Sequence, residues 1–204
     1  MSENLVNALD GNTFVVSDRR GDIVASPTDT TGLFSFDTRF LSKWVLTVDG
    51  QRLSPLSVND LQYFETRFFL VPGTGTIYVN ATLSVVRQRA VGNGFHEELT
   101  ILNHDEKPVD LRVRIDAGSD FADIFEIKDA VGKKGKYYRR IDKQKLVLGY
   151  ERETFRRETT ISSSAPTQLD DGFSCGHRAC RPRGGARQAQ VRAGSTDGAA
   201  EHGA

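Results

Sequence analysis

The chain has 204 residues, long enough to bury a core without disulfide help, and 38% of them are hydrophobic, an ordinary share once its 19 glycines are counted. Its 27 Lys plus Arg equal its 27 Asp plus Glu, so no global field recruits nucleic acid or an anionic membrane, and partners must be argued locally. Residues 1–11 hold no basic leader, no stretch approaches a membrane span, and Cys175 and Cys180 lie too close to the C-terminal end to staple the core, so a cytoplasmic, reducing location is expected.

In chain order, two short β-prone runs at 13–17 and 22–25 flank Arg19-Arg20-Gly21-Asp22, and together they read as a hairpin. An aromatic-dense run follows at 32–41. Residues 44–48 read as a strand entering Asp49-Gly50, a two-residue reversal that needs positive φ, with the return strand over 51–58. Residues 63–71 are apolar on both alternating sets, which predicts a strand covered on both faces or lying at a sheet interface, and a further run starts at 77–79.

Three strands then follow, at 83–91, 95–103 and 109–116, joined by Gly92-Asn93-Gly94 and by the polar loop 104–108, and they read as a meander. In the third, Val109, Leu111, Val113 and Ile115 alternate with Asp110, Arg112, Arg114 and Asp116, so one face is buried and the other wet. The next run, Asp120-Phe121-Ala122-Asp123-Ile124-Phe125-Glu126, spaces its rings four apart and its acids three apart, which suits a helical turn. Residues 131–140 read as a basic, glycine-punctuated loop, and 146–150 and 155–161 as two more strands.

No helix of ordinary length is visible. Many short strands with turns between them predict an all-β chain: an antiparallel, supersandwich-like β-sandwich with one short helical turn, and with Leu99, Ile101, Leu111, Val113 and Ile115 in its core. From Gly176 onward Val191 is the only large apolar residue, which predicts a disordered, low-complexity tail over 175–204 after a domain spanning 1–174. The shift to Ala, Gly and Arg also fits a shifted reading frame or a fusion in a GC-rich coding sequence, which would leave the domain truncated and incomplete at its C-terminal end.

The motifs DFADIFE at 120–126, GLFSFDTRFLS at 32–42 and ELTILN at 98–103 resemble the N-terminal domain of bacterial glycogen debranching enzymes, the amylo-α-1,6-glucosidase group, over residues 5–174. In that family such a β-sandwich precedes an (α/α) barrel that cleaves α-1,6 branch points and carries the general acid and base. The resemblance therefore implies a non-catalytic accessory domain that packs against a barrel and shapes substrate access, with α-glucan or oligosaccharide as partner through that barrel. No cofactor and no metal are implied. The alternative is a stand-alone α-glucan-binding module acting through Trp44, the tyrosines or the Asp120 cluster.

Candidate contacts with a saccharide are Asp37 and Arg39, whose carboxylate and guanidinium offer directional hydrogen bonds, although such a pair also serves as a strand-end ion pair. Asp120, Asp123 and Glu126 beside aromatic rings offer the same chemistry, and Asp at the start of a helical turn also caps it. The run Lys133-Lys134-Gly135-Lys136-Tyr137-Tyr138-Arg139-Arg140 mixes charge and rings as single-strand nucleic-acid binders do, but at zero net charge it reads as a solvated hairpin tip. Cys175, His177 and Cys180 lack the second pair of ligands that a zinc site needs, and His96 and His104 have no catalytic context.

Overall fold

The computed structural model describes residues 5–73, 82–92, 94–169, 173–180 and 187–199, the last two segments by their backbone. Among the described residues, eighteen strands and one short helix follow one another. The first five strands are β1 (Val6–Asp10), β2 (Thr13–Ser17), β3 (Ile23–Val24), β4 (Gly32–Ser35) and β5 (Thr38–Leu41). Next come β6 (Lys43–Val48), β7 (Gln51–Arg52), β8 (Ser54–Gln62) and β9 (Glu65–Val71), then β10 (Leu83–Val91), β11 (Phe95–Asn103) and β12 (Val109–Gly118). After α1 (Ile124–Lys128) the chain continues with β13 (Lys136–Asp142), β14 (Lys145–Arg152), β15 (Phe155–Ser163), β16 (Gln168–Leu169), β17 (Phe173–Cys180) and β18 (Arg187–Ala199).

These strands form three antiparallel sheets rather than the two of the expected sandwich, and this corrects the predicted fold class. A four-stranded sheet runs β1-β2-β4-β5, and an eight-stranded one runs β13-β14-β15-β18-β11-β10-β9-β8. A six-stranded sheet runs β16-β17-β12-β6-β3, with β7 added beside β6. The all-β class and the single short helical turn agree with the sequence reading.

The departures share one cause: alternation shows which face of a strand is buried but not which strand lies beside it. The predicted meander breaks after its second strand. β10 pairs with β11, but β12 pairs with β6 and β17 in another sheet, and β18 takes the place beside β11. The connecting loop is fixed by Asn103, whose side chain donates to Lys107 O at 2.8 Å and accepts from Asp105 N at 3.0 Å. Likewise β2 and β3 do not form a hairpin, since β2 pairs with β1 and β4 while β3 pairs with β6.

The Asp49-Gly50 reversal forms as read, both residues at positive φ, but its return strand splits at buried Leu53 into β7 and β8, which lie in different sheets. β9 alternates buried and half-buried residues instead of being covered on both faces, and Tyr63 is exposed in the turn before it. The basic loop is in part strand β13, at the edge of the eight-stranded sheet. The run at 77–79 lies outside the described residues.

The predicted disordered tail is also corrected. β17 pairs with β12 and β16, and β18 is held on both sides, by β15 and β11. Backbone pairing does not require large side chains, so a segment poor in apolar residues can still complete a sheet whose neighbours supply the core. That core is the larger of two buried clusters among the described residues, the smaller being Phe40, Phe121 and Tyr150. The larger includes Trp44, Phe68 and Phe95 as well as the predicted Leu99, Ile101, Leu111, Val113 and Ile115.

Candidate functional site

The four candidate residues, some eighty positions apart in two pairs, meet at one corner of the molecule. Arg39 lies on β5 and is 1% exposed, whereas Asp120, just past the end of β12, is 36% exposed. Their ion pair closes at 2.5 Å between Nη2 and Oδ2, and Arg39 Nε reaches both carboxylate oxygens at 3.1 Å. The remaining guanidinium donors bind the carbonyls of Asp29 (2.9 Å), Thr31 (3.3 Å) and Ser26 (3.3 Å). A planar fork of five donors suits this arrangement, in which one side chain ties an irregular loop and a strand end together.

Asp123 and Asp37 complete the corner. Asp123 Oδ1 accepts from Glu126 N at 2.8 Å while Glu126 Oε2 accepts from Asp123 N at 2.9 Å, a reciprocal capping box that starts α1. Thr38 forms a bridge with Asp123, Arg39 N donates to Ala122 O at 2.8 Å, and Ile124 N donates to Asp37 O at 3.0 Å. The Asp37 carboxylate accepts from Thr38 Oγ1 at 3.0 Å and stands near the Arg157 guanidinium. Glu126 is further paired with Lys133 at 2.8 Å.

Phe121 sits at φ 48°, a conformation that costs a bulky residue about 1–3 kcal/mol and persists only where its surroundings enforce it. Here its ring is buried edge-on against Phe40 at 5.9 Å and beside Tyr150 at 6.2 Å. Phe125, the other ring of the motif, is instead exposed. Thr159 Oγ1 donates to Phe40 O at 2.8 Å and so fastens β15 behind the corner.

Beside the corner opens a groove of about 280 Å³ between the end of β12 and the β13–β14 hairpin, lined in part by Gly118, Ser119, Phe121, Tyr137, Arg139 and Leu148. Sequence reasoning missed it, because its walls come from segments read separately as a strand end and a basic loop. Tyr137 links groove and corner: its hydroxyl donates to Asp120 O at 3.0 Å, and its ring lies 5.2 Å from that of Tyr150. Partial burial first, and then the nearby Asp120 carboxylate, push the Tyr137 hydroxyl pKa above its ordinary value. Ser119 Oγ is buried and has no hydrogen-bond partner among the described residues.

A second charged cluster lies in the core, where the sequence reading placed only apolar residues. Arg87 and Arg89 on β10, Glu97 on β11 and Asp22 are all buried. Arg87 Nη1 donates to Asp22 Oδ1 at 2.7 Å, Arg89 Nη2 donates to Glu97 Oε2 at 2.7 Å, and Arg87 Nε lies 2.9 Å from Glu97 Oε1. Trp44 is fully buried and donates to Glu97 Oε1 at 2.8 Å, so it offers no face to a sugar. Burial alone would raise the pKa of Asp22 and Glu97, but Arg87 beside both, with Arg89 beside Glu97, outweighs it and holds them below the usual carboxylate range. The signal was present in the sequence, since Arg87, Arg89 and Glu97 occupy period-two positions on faces that are otherwise apolar.

Elsewhere the basic run is spent on local contacts, with Arg140 on Glu158 at 3.1 Å, Tyr138 on the same carboxylate at 2.5 Å, and Lys133 over the Tyr150 ring. His104 pairs with Ser84 at 2.7 Å. Among the described residues no three His, Cys, Asp or Glu side chains converge to hold a metal ion. The side chains of Cys175, His177 and Cys180 lie outside what is described.

The comparisons bear on this arrangement. A family model described as the N-terminal domain of (some) glycogen debranching enzymes matches residues 9–184. No curated protein matches. Among solved structures, a protein assigned as an aldose 1-epimerase from Escherichia coli K12 superposes with TM-score 0.54 at 7% identity, covering 95% of this chain and 99% of that one. A protein assigned as a kojibiose phosphorylase from human microbiome gives TM-score 0.52 at 7% identity, over 85% of this chain and 24% of that one. At such identity the likeness is one of fold, and in the second case this fold is about a quarter of a longer chain.

Proposed function

We propose that this chain, which belongs to the family of N-terminal domains of (some) glycogen debranching enzymes, is a non-catalytic accessory domain serving a cytoplasmic α-glucan-debranching protein of the amylo-α-1,6-glucosidase type. In this reading the acid and base for hydrolysis come from a barrel domain, against which this domain packs and whose substrate access it shapes. The family match carries the proposal.

The corner supports it chemically. Glycoside hydrolysis needs two carboxyl groups facing each other across the scissile bond, one of them with a raised pKa. Asp120 is neutralised by Arg39, Asp123 caps α1, Glu126 is shared between that cap and Lys133, and Asp37 stands exposed at a turn. These acids hold the backbone in place. The stand-alone binding module loses Trp44 and Tyr150 as contacts, though Tyr63, Tyr137 and Asp120 remain accessible.

Turnover of branched dextrin by the purified chain tests the proposal. It should equal the buffer blank for the wild type, Asp120→Asn and Asp123→Asn. Turnover above the blank that either substitution removed, with melting unchanged, would make the corner an active site and overturn the accessory reading.

A further inference from the structure

We propose that the groove between the end of β12 and the β13–β14 hairpin binds one pyranose unit of an α-glucan chain, with Tyr137 as its stacking surface and Ser119 Oγ as a hydrogen-bond partner for a ring hydroxyl. The inference rests on the α-glucan reading above and gives this domain a sugar contact of its own.

Three observations converge on the groove. Its volume, about 280 Å³, lies near the small end of small-molecule sites, about 300 Å³, which suits a single ring rather than a whole branched substrate. Ser119 Oγ is buried without a partner, and a buried hydroxyl left unpaired is costly in a way that an incoming hydroxyl relieves. The third observation is the strained backbone. Phe121, at φ 48°, is the wall residue that follows Asp120, two positions after Ser119, and strain of this kind persists where the surroundings impose it.

The chemistry of the walls selects a neutral polyol. Tyr137, half exposed, supplies aromatic surface, and the Asp120 carboxylate alongside is already matched by Arg39. A pyranose presents one apolar C–H face to an aromatic ring and a rim of hydroxyls to polar groups, and this groove offers both. Tyr137 is held for the task, because its hydroxyl is anchored on Asp120 O and its ring rests beside Tyr150.

Calorimetric titration of the full chain with maltohexaose, and with cellohexaose as control, tests the proposal. Tyr137→Ala should weaken maltohexaose binding about tenfold and Ser119→Ala about fivefold. Tyr137→Phe, which keeps the ring, should bind within about twofold of the wild type. Ser119→Ala removes an unpaired hydroxyl, so its melting temperature should not fall, and its weaker binding cannot then be ascribed to unfolding.

Wild-type binding that neither Tyr137→Ala nor Ser119→Ala weakens would overturn the groove while leaving a carbohydrate contact elsewhere on the domain. Equal affinity for cellohexaose would overturn the α-glucan assignment. Absence of binding to either would overturn the groove and leave the accessory reading standing, because that reading is tested by dextrin turnover.

Discussion

At the scale of single residues the molecule depends on charges placed where alternation predicts apolar side chains. Glu97 is surrounded by Arg87, Arg89 and the Trp44 N–H, and removing its charge takes the carboxylate from buried Arg89 and leaves Arg87 to Asp22 alone. Glu97→Gln should therefore destabilise the chain by about 3–5 kcal/mol, read as a lowered urea midpoint. The same cluster sets the acid limit. Asp22 and Glu97 have folded pKa values below their unfolded ones, so their contribution is present above the unfolded values, near pH 4, and is lost as pH falls through the lower folded values. The urea midpoint should hold down to about pH 4 and drop below it. An unchanged midpoint in Glu97→Gln would show that the network carries no stability.

At the scale of elements, the inward faces of β11 and β12 were legible and their neighbours were not. The inward face of β12 is as predicted, yet Arg39 and Asp120 meet only because β5 ends against the segment that leaves β12. Gly32, at the start of β4, makes room for that meeting. Its φ is 152°, and a Cβ there would stand 2.6 Å from Arg39 Cδ and 2.9 Å from Leu41 O. Gly32→Ala should cost about 1–3 kcal/mol and displace Arg39 from Asp120, which denaturation midpoints would register. A variant as stable as the wild type would mean that the arginine has slack. The helical turn was legible in kind, though it starts at Ile124 and not at Asp120, because its capping box is local: Asp123 and Glu126 satisfy each other's free N–H groups whatever lies around them.

At the scale of the whole molecule, β18 joins two halves of the eight-stranded sheet, β13-β14-β15 on one side and β11-β10-β9-β8 on the other. Cutting the chain before Arg187 removes that strand and leaves β15 and β11 as bare edges. Such edges template pairing with other chains, so the shortened protein should elute early in size-exclusion chromatography, as oligomer or aggregate, where the full chain elutes later as one discrete peak. A shortened chain that stays discrete and melts as the full one does would show that β18 is dispensable.

What the sequence by itself determined was local and periodic: an all-β chain, the inward faces of β11 and β12, the Asp49-Gly50 reversal, a short helical turn near 120–126, and, through its motifs, the family. Side-chain alternation and capping are settled within a few residues, and the motifs are linear strings, so none of these needs the fold. Tertiary structure alone decided the distribution of strands over three sheets, the strand role of a tail poor in apolar residues, the buried ion pairs and the groove. Each of these depends on which distant backbone lies alongside, and a chain whose strands all alternate alike offers many partners of equal local merit; only burying every inward face at once, with each buried charge matched, selects among them.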